Sequence, residues 1–304
     1  MSREGKTKIV ITGSKGFLGD NLVDALQDNS KYIIYALSSQ SDEAQNGNEN
    51  ENVQYYHKDA VFSDKGKVFL QNAIVINCAF PRNSTGTGMA DGLRYIQKLF
   101  DCSREYNAQA IINISSQSVY SQKREEIASE KTPLCLESPY AVGKYSTELM
   151  LESACRSTKI AYTNIRMASL IGPGFDQRIV NRFVKQALEG QPLNVVKSQK
   201  RFGFLDVMDA VFGLISLIET PVVKWNPVYN LGNGISYSIL EIADSVKHVF
   251  EENGLQFRGV NEETGDDFGN TGISYYLLHK DTEFEPKIDL NCSIQRILDY
   301  MIGQ

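Results

Sequence analysis

The feature that most restricts this chain lies between residues 8 and 26. A β-branched run, Lys8-Ile9-Val10-Ile11-Thr12, passes directly into Gly13-Ser14-Lys15-Gly16-Phe17-Leu18-Gly19, and then into apolar residues at helical spacing through Leu22, Val23 and Leu26. A strand of Ile and Val without polar alternation is buried on both faces, as in a parallel sheet covered by helices on each side. The glycines stand at i, i+3 and i+6. The first permits a tight turn, the second lets backbone N–H groups approach a pyrophosphate, and the third lets helix and strand pack closely. The helix N-terminus that follows is suited to an anion. Taken alone, the motif also fits an ordinary βα turn.

The alternation continues downstream. Strands are expected at Tyr32–Leu37, Val53–Tyr56, Ala73–Asn77 and Ala110–Ile114, with helices at Lys65–Gln71 and Gly92–Tyr106. The polar stretch from Ser38 to Asn52 reads as a surface loop. A long helix is expected from Tyr140 to Ser157, then a strand at Ala161–Arg166. Beyond Gly172-Pro173-Gly174 the pattern loosens into helices at Ile179–Glu189, Met208–Glu219, Asp244–Glu252 and Ile294–Ile302, with short apolar pieces at Val195-Val196 and Phe204-Leu205. The fold class expected is α/β, a doubly wound parallel sheet of Rossmann type over residues 1–171. A smaller, mixed α/β substrate lobe follows over 172–304, with residues 203–219 returning to the first domain.

Charge narrows the partners. With 37 acidic against 31 basic residues and a net charge of −6, no basic face is expected for a polynucleotide. A small anionic substrate needs only one or two cations or a helix N-terminus. Five scattered cysteines and three isolated histidines offer no ligand set for a metal, and the thiols are expected to be reduced. The polar N-terminus leads into an apolar run too short for a signal sequence or a membrane span, so a cytoplasmic protein without membrane contact is expected.

The chemistry is carried by Tyr140-Ala141-Val142-Gly143-Lys144. On a helix the phenol and the ammonium share one face, and a lysine cation there stabilises phenolate over phenol. Proton transfer to or from a sugar or alcohol oxygen then becomes feasible at neutral pH. The segment Ile114-Ser115-Ser116-Gln117-Ser118, directly after a strand, supplies a hydroxyl to orient a carbonyl. Ser116 is the favoured donor and Ser115 the alternative.

In this order, these segments resemble an extended short-chain dehydrogenase/reductase of the NAD-dependent epimerase/dehydratase family. The resemblance runs through Thr12 to Gly19, Asp59, Asn77-Cys78-Ala79, Ser115 to Tyr120, Pro139-Tyr140 to Lys144, Arg166 with Gly172-Pro173-Gly174, Tyr229-Asn230-Leu231-Gly232, and Glu285-Pro286 to Leu290. It implies a triad of Ser116, Tyr140 and Lys144, with Lys144 also holding the nicotinamide ribose. It implies cofactor contacts at Gly13, Ser14, Gly16, Phe17, Leu18, Gly19, Ser38, Ser39, Asp59, Ala60, Ala79 and Ser115. Substrate contacts are expected at Phe80, Ser118, Asn181 and Arg201. The substrates implied are nucleotide-activated sugars, and the usual assembly is a homodimer through a two-helix face, here the stretches 92–106 and 145–157.

Departures from the family's patterns bear on the reaction. Dehydratases carry an Asp-Glu pair where Gln117 and Ser118 stand here, which argues against dehydration. The 3,5-epimerase/4-reductases place a Cys at the position of Ser118 and a His shortly after Gly172-Pro173, and neither is present. Reduction of a 4-keto sugar is the expected reaction, with 4-epimerisation on a tightly held NAD as the alternative. A catalytically silent cofactor-binding protein is the reading from another class. The acid that would bind the adenosine ribose is replaced by Ser38 and Ser39, so NADP is the expected cofactor and NAD the alternative, although no Arg or Lys is adjacent in sequence. The family's diphosphate-binding Arg falls at Phe202, with Arg201 one residue away.

Overall fold

The expected opening strand and helix are present as β1 (Thr7–Thr12) and α1 (Phe17–Leu26). In this computed structural model, which describes residues 5–40, 50–81 and 86–304, the chain continues through β2 (Tyr32–Ser38), β3 (Val53–His57), α2 (Asp64–Leu70), β4 (Ala73–Asn77) and α3 (Gly86–Glu105). It goes on to β5 (Ala110–Ser116), α4 (Pro139–Cys155), β6 (Ala161–Met167), β7 (Ser169–Ile171), α5 (Ile179–Leu188), β8 (Leu193–Phe202) and β9 (Phe204–Asp206). The last elements are α6 (Val207–Glu219), β10 (Val228–Leu231), β11 (Tyr237–Ser238), α7 (Ile239–Glu252), β12 (Val260–Asn270), α8 (Tyr276–Thr282) and α9 (Leu290–Ile302). Most of the loop expected at 38–52 lies outside the described residues, at 41–49.

The main sheet has seven strands in the order β3-β2-β1-β4-β5-β6-β10. The pairs β1–β2, β1–β4, β2–β3 and β4–β5 are all parallel. Strand order reverses at β1, whose neighbours are β2 on one side and β4 on the other. A crevice opens beyond the carboxyl ends of the strands at such a switch point. One face of the sheet packs Val10, Ile33, Tyr35, Leu37, Val75 and Ile111 against Phe69 and Leu70 of α2, Ile96, Leu99 and Phe100 of α3, and Leu151 of α4. The alternate residues Ile9, Ile11, Ile34, Ile74 and Ile112 are buried as well. Cover on both faces is why these strands read as continuous apolar runs.

Contacts divide the chain into two units. The first comprises residues 1–119, 136–166 and 214–229, and the second 120–135, 167–213 and 230–304. The sequence reading divides the chain at 171/172 with residues 203–219 returning to the first domain, whereas in the contacts residues 214–229 group with the first unit. Segment 120–135 belongs to the second unit because point contacts hold it there: a bridge joins Ala128 to Ile273, and the Tyr120 hydroxyl donates to Asn230 Oδ1 at 2.8 Å. Such single hydrogen bonds leave no periodic signal in a sequence.

The core of the second unit joins α5, α7 and α9 through Phe183, Val184, Ile242, Val246, Phe250, Ile294 and Ile297, with Leu193 and Val195 of β8. Helix α7 begins five residues before the expected Asp244. A capping box moves its start: Glu241 N donates to Ser238 Oγ at 3.2 Å and Ser238 N to Glu241 Oε2 at 2.6 Å. The segment before α9 is anchored on Asp209, whose carboxylate accepts from Lys287 N and Ile288 N. Strand β12 was not expected. It carries Glu262, Glu263, Asp266 and Asp267 without apolar alternation, and is held by parallel pairing to β8 in the three-stranded sheet β11-β8-β12. Among the described residues, no helix is long and apolar enough to cross a membrane.

Candidate active site

The glycine turn is built by close approach. Gly13 has φ +67°, in the region that favours glycine, and a Cβ there would stand 2.9 Å from Ala79 N. A Cβ on Gly19 would lie 2.3 Å from Gly13 O. The turn closes through Gly16 N to Gly13 O at 2.9 Å and is tied to β2 by Ser14 N to Leu37 O at 3.1 Å. Gly16, the N-cap of α1, contributes no side chain to the helix end. The Ser14 hydroxyl is buried and unpartnered. A glycine cradle, a helix start without a side-chain cap and a buried orphan hydroxyl together fit a pyrophosphate group.

A cavity of about 500 Å³ opens over this turn, lined among others by Gly13, Lys15, Gly16, Ser38, Ser39, Lys58, Ala79, Phe80 and Tyr95. Six residues expected to bind cofactor or substrate thus share one wall: Gly13, Gly16, Ser38, Ser39, Ala79 and Phe80. Others of the expected cofactor residues do not line it. Leu18 and Gly19 are buried in the first turn of α1, with Phe17 at its head. Asp59 and Ala60 sit on the helical turn 58–62 after β3, where the Asp59 carboxylate is 3.5 Å from His57 Nδ1. Lys15 and Lys58 were not anticipated. Lys15 was hidden among the glycines, and Lys58 is brought to the cavity by the fold alone.

Helix α4 is started by Ser138, whose hydroxyl accepts from Ala141 N at 3.1 Å, with Pro139 in its first turn. Tyr140 and Lys144 therefore lie one turn apart. Lys144 is buried, and its Nζ donates to Ile114 O of β5 at 2.7 Å. The same nitrogen stands 4.1 Å from the centre of the Phe80 ring and 6.0 Å from that of Tyr140. Phe80 and Tyr140 meet edge to face with centroids 5.4 Å apart. Neighbouring Cys78 has its thiol pushed up to about 12 by burial, against the opposing pull of Lys144.

The two candidate serines have different surroundings. The Ser115 hydroxyl donates to Glu148 Oε1, and Glu148 in turn holds Arg166 through Nε at 3.1 Å and Nη2 at 2.7 Å. This network is buried. Ser116 Oγ instead accepts from Ser118 N at 3.1 Å and lies 3.2 Å from Ser118 Oγ. Both bonds of Ser116 stay within one local turn, whereas Ser115 is tied to the buried ion pair. In the second unit, Asn181 is buried, with its amide donating to Gly172 O at 2.8 Å and its Oδ1 unpartnered. Arg201 is engaged by Ser236 Oγ at 3.2 Å and by the Glu241 carboxylate at 3.2 Å. Among the described residues, no group of three or more His, Cys, Asp or Glu could hold a metal.

Known proteins share this architecture. Protein CapI of Staphylococcus aureus is 23% identical over 334 residues, covering 97% of this chain and 98% of the relative. A putative UDP-glucose 4-epimerase of Methanocaldococcus jannaschii is 26% identical over 319 residues, covering 96% and 98%. The crystal structure of UDP-glucuronic acid 4-epimerase from Bacillus cereus in complex with UDP-glucuronic acid and NAD superposes with a TM-score of 0.81 at 23% identity, covering 98% and 99%. The family model for the NAD dependent epimerase/dehydratase family matches residues 9–232, so the glycine turn, the α4 pair and the β5 serines all lie within the match, and the chain belongs to that family.

Proposed function

We propose that this protein is a nucleotide-sugar epimerase that binds NAD over the glycine turn, with Tyr140 as its general acid/base. The carrying observation is the buried Lys144, held by Ile114 O and set against the rings of Phe80 and Tyr140. Tyr140 lies one turn from that cation on α4, where its hydroxyl can take a proton from a sugar hydroxyl and return it. Ser116 orients the sugar oxygen from the end of β5, while Ser115 is committed to Glu148. Lys144 has further protons to offer a ribose. NAD, when bound, supplies the hydride acceptor. The relatives that act on UDP-sugars support this reading over the reduction expected from the sequence.

The test is incubation of the purified protein with UDP-glucuronic acid, UDP-glucose and UDP-N-acetylglucosamine, followed by NMR of the sugar. The expected product is the 4-epimer of at least one of them, formed without net consumption of cofactor. Tyr140→Phe is expected to lower kcat by about 10²–10⁴-fold with NAD affinity nearly unchanged. Retained activity in that variant would remove Tyr140 from its role. A second reading, 4-keto reduction with NADPH, is favoured by one observation: Lys15 and Lys58 line the same cavity as Ser38 and Ser39, the last residue of β2 being a hydroxyl and not a carboxylate. Tighter binding of NADPH than of NAD, with net oxidation of NADPH by a keto-sugar, would select it.

A further inference from the structure

A row of buried polar side chains crosses the main sheet behind the site. Thr12, the last residue of β1, donates from Oγ1 to Asn77 Oδ1 at 2.8 Å, and Asn77 Nδ2 donates to Asn113 Oδ1 at 3.0 Å. These residues occupy matched positions in adjacent strands, Thr12 opposite Asn77 and Asn77 opposite Asn113. At Asn113 the row forks. Its Nδ2 donates to Thr147 Oγ1 of α4 at 3.0 Å and to Asn164 Oδ1 of β6 at 2.9 Å. The first branch ends where Thr147 Oγ1 donates to Lys144 O at 2.7 Å. The second ends at Pro227 O, 3.4 Å from Asn164 Nδ2.

Such a row is out of keeping with the rest of these strands. The neighbouring positions of these strands are Ile and Val, and a polar group buried among them is costly unless it is paired. Here every link is made, and each donates in the same sense from β1 outward, so the dipoles reinforce one another. Its ends indicate its use. Thr12 directly precedes Gly13, and Asn77 lies two residues before Ala79, whose backbone limits Gly13 to glycine. The α4 branch terminates on the carbonyl of the lysine of the acid/base pair.

We propose that Thr12, Asn77, Asn113 and Thr147 are positioning residues that hold the Lys144 turn of α4 at a fixed place relative to the glycine turn, with Asn113 as the junction and Thr147 as the arm. The Asn164 branch secures the sheet and plays no part in this. The assignment rests on the reading that NAD binds over the glycine turn with Lys144 at its ribose.

Thr147→Val removes the arm without changing the side chain's shape, Thr147→Ser keeps the hydroxyl, and Asn164→Leu cuts the other branch. Calorimetric titration with NAD is the readout, with the melting temperature followed alongside. Thr147→Val is expected to weaken NAD binding about tenfold, as displacement of a contact group would. Thr147→Ser is expected to restore it, and Asn164→Leu to stay within about twofold of the parent while losing melting temperature. Parent-like affinity in Thr147→Val, or an equal loss in Asn164→Leu, would overturn the assignment while leaving the functional reading intact. A parent chain that takes up no NAD would overturn both. If Thr147→Val does not fold, Thr147→Ala serves the same comparison, with the same outcomes.

Discussion

The seven-stranded sheet and the β11-β8-β12 sheet hold their strands by different means. In the first, β1, β2, β4 and β5 are buried along nearly their whole length, and Thr12, Asn77 and Asn113 on three of them are joined in the row that runs to Asn164. In the second, most of β12 is exposed, with four carboxylates and a parallel backbone pairing to β8 whose register shifts between Thr264 and Phe268. Burial makes side-chain identity decisive in one, whereas the other tolerates many sequences because main-chain hydrogen bonds do not depend on the side chain. Sensitivity to substitution should therefore be large in the first sheet and small in the second.

The sharpest test is the buried ion pair beside the site. Glu148→Leu leaves the Arg166 guanidinium without its carboxylate and Ser115 without its acceptor, and is expected to cost about 3–5 kcal/mol in urea unfolding. A loss below that of a surface pair would break the comparison. Gly19→Ala forces a Cβ into Gly13 O and is expected to cost about 1–3 kcal/mol, and to abolish the rise in melting temperature on adding NAD.

In the second unit the effects shrink. Ser238→Ala removes the cap of α7 at about 1 kcal/mol. Its partner Glu241 is held below the usual carboxylate range, first by the Ser238 N–H and also by Arg201. A depressed carboxylate stabilises the fold above the unfolded range and loses that contribution as pH falls through its folded value. Glu241→Gln should therefore flatten the acid limb of stability against pH, measured by thermal melts between neutral and acid buffers. Smallest of all, Glu263→Thr on β12 is expected to change stability by less than about 0.5 kcal/mol. A large loss there would show that the Glu263 side chain carries a contact that matters to the fold.

The same contrast explains what could be read. The helix of Tyr140 and Lys144 and the turn of Gly13, Gly16 and Gly19 were legible because spacing within one element is local. The different surroundings of Ser115 and Ser116 were not, since they depend on Glu148 being aimed at the Ser115 hydroxyl. Lys58 reaches the cavity with the glycine turn although it is far from it in sequence. Arg201 read as a possible substrate cation, yet its guanidinium is tied to Ser236 and Glu241. Strand β12 gave no signal because no face of it is buried.

By itself the sequence determined the doubly wound sheet and the order of its elements up to β6, because hydrophobic period and glycine spacing act over a few residues. Tertiary structure alone decided which hydroxyl is tied to Glu148, which lysines line the cavity, and that Thr12, Asn77, Asn113 and Thr147 form one line. Those outcomes depend on register between strands and on the height at which α4 crosses β5. Neither is encoded in any single segment.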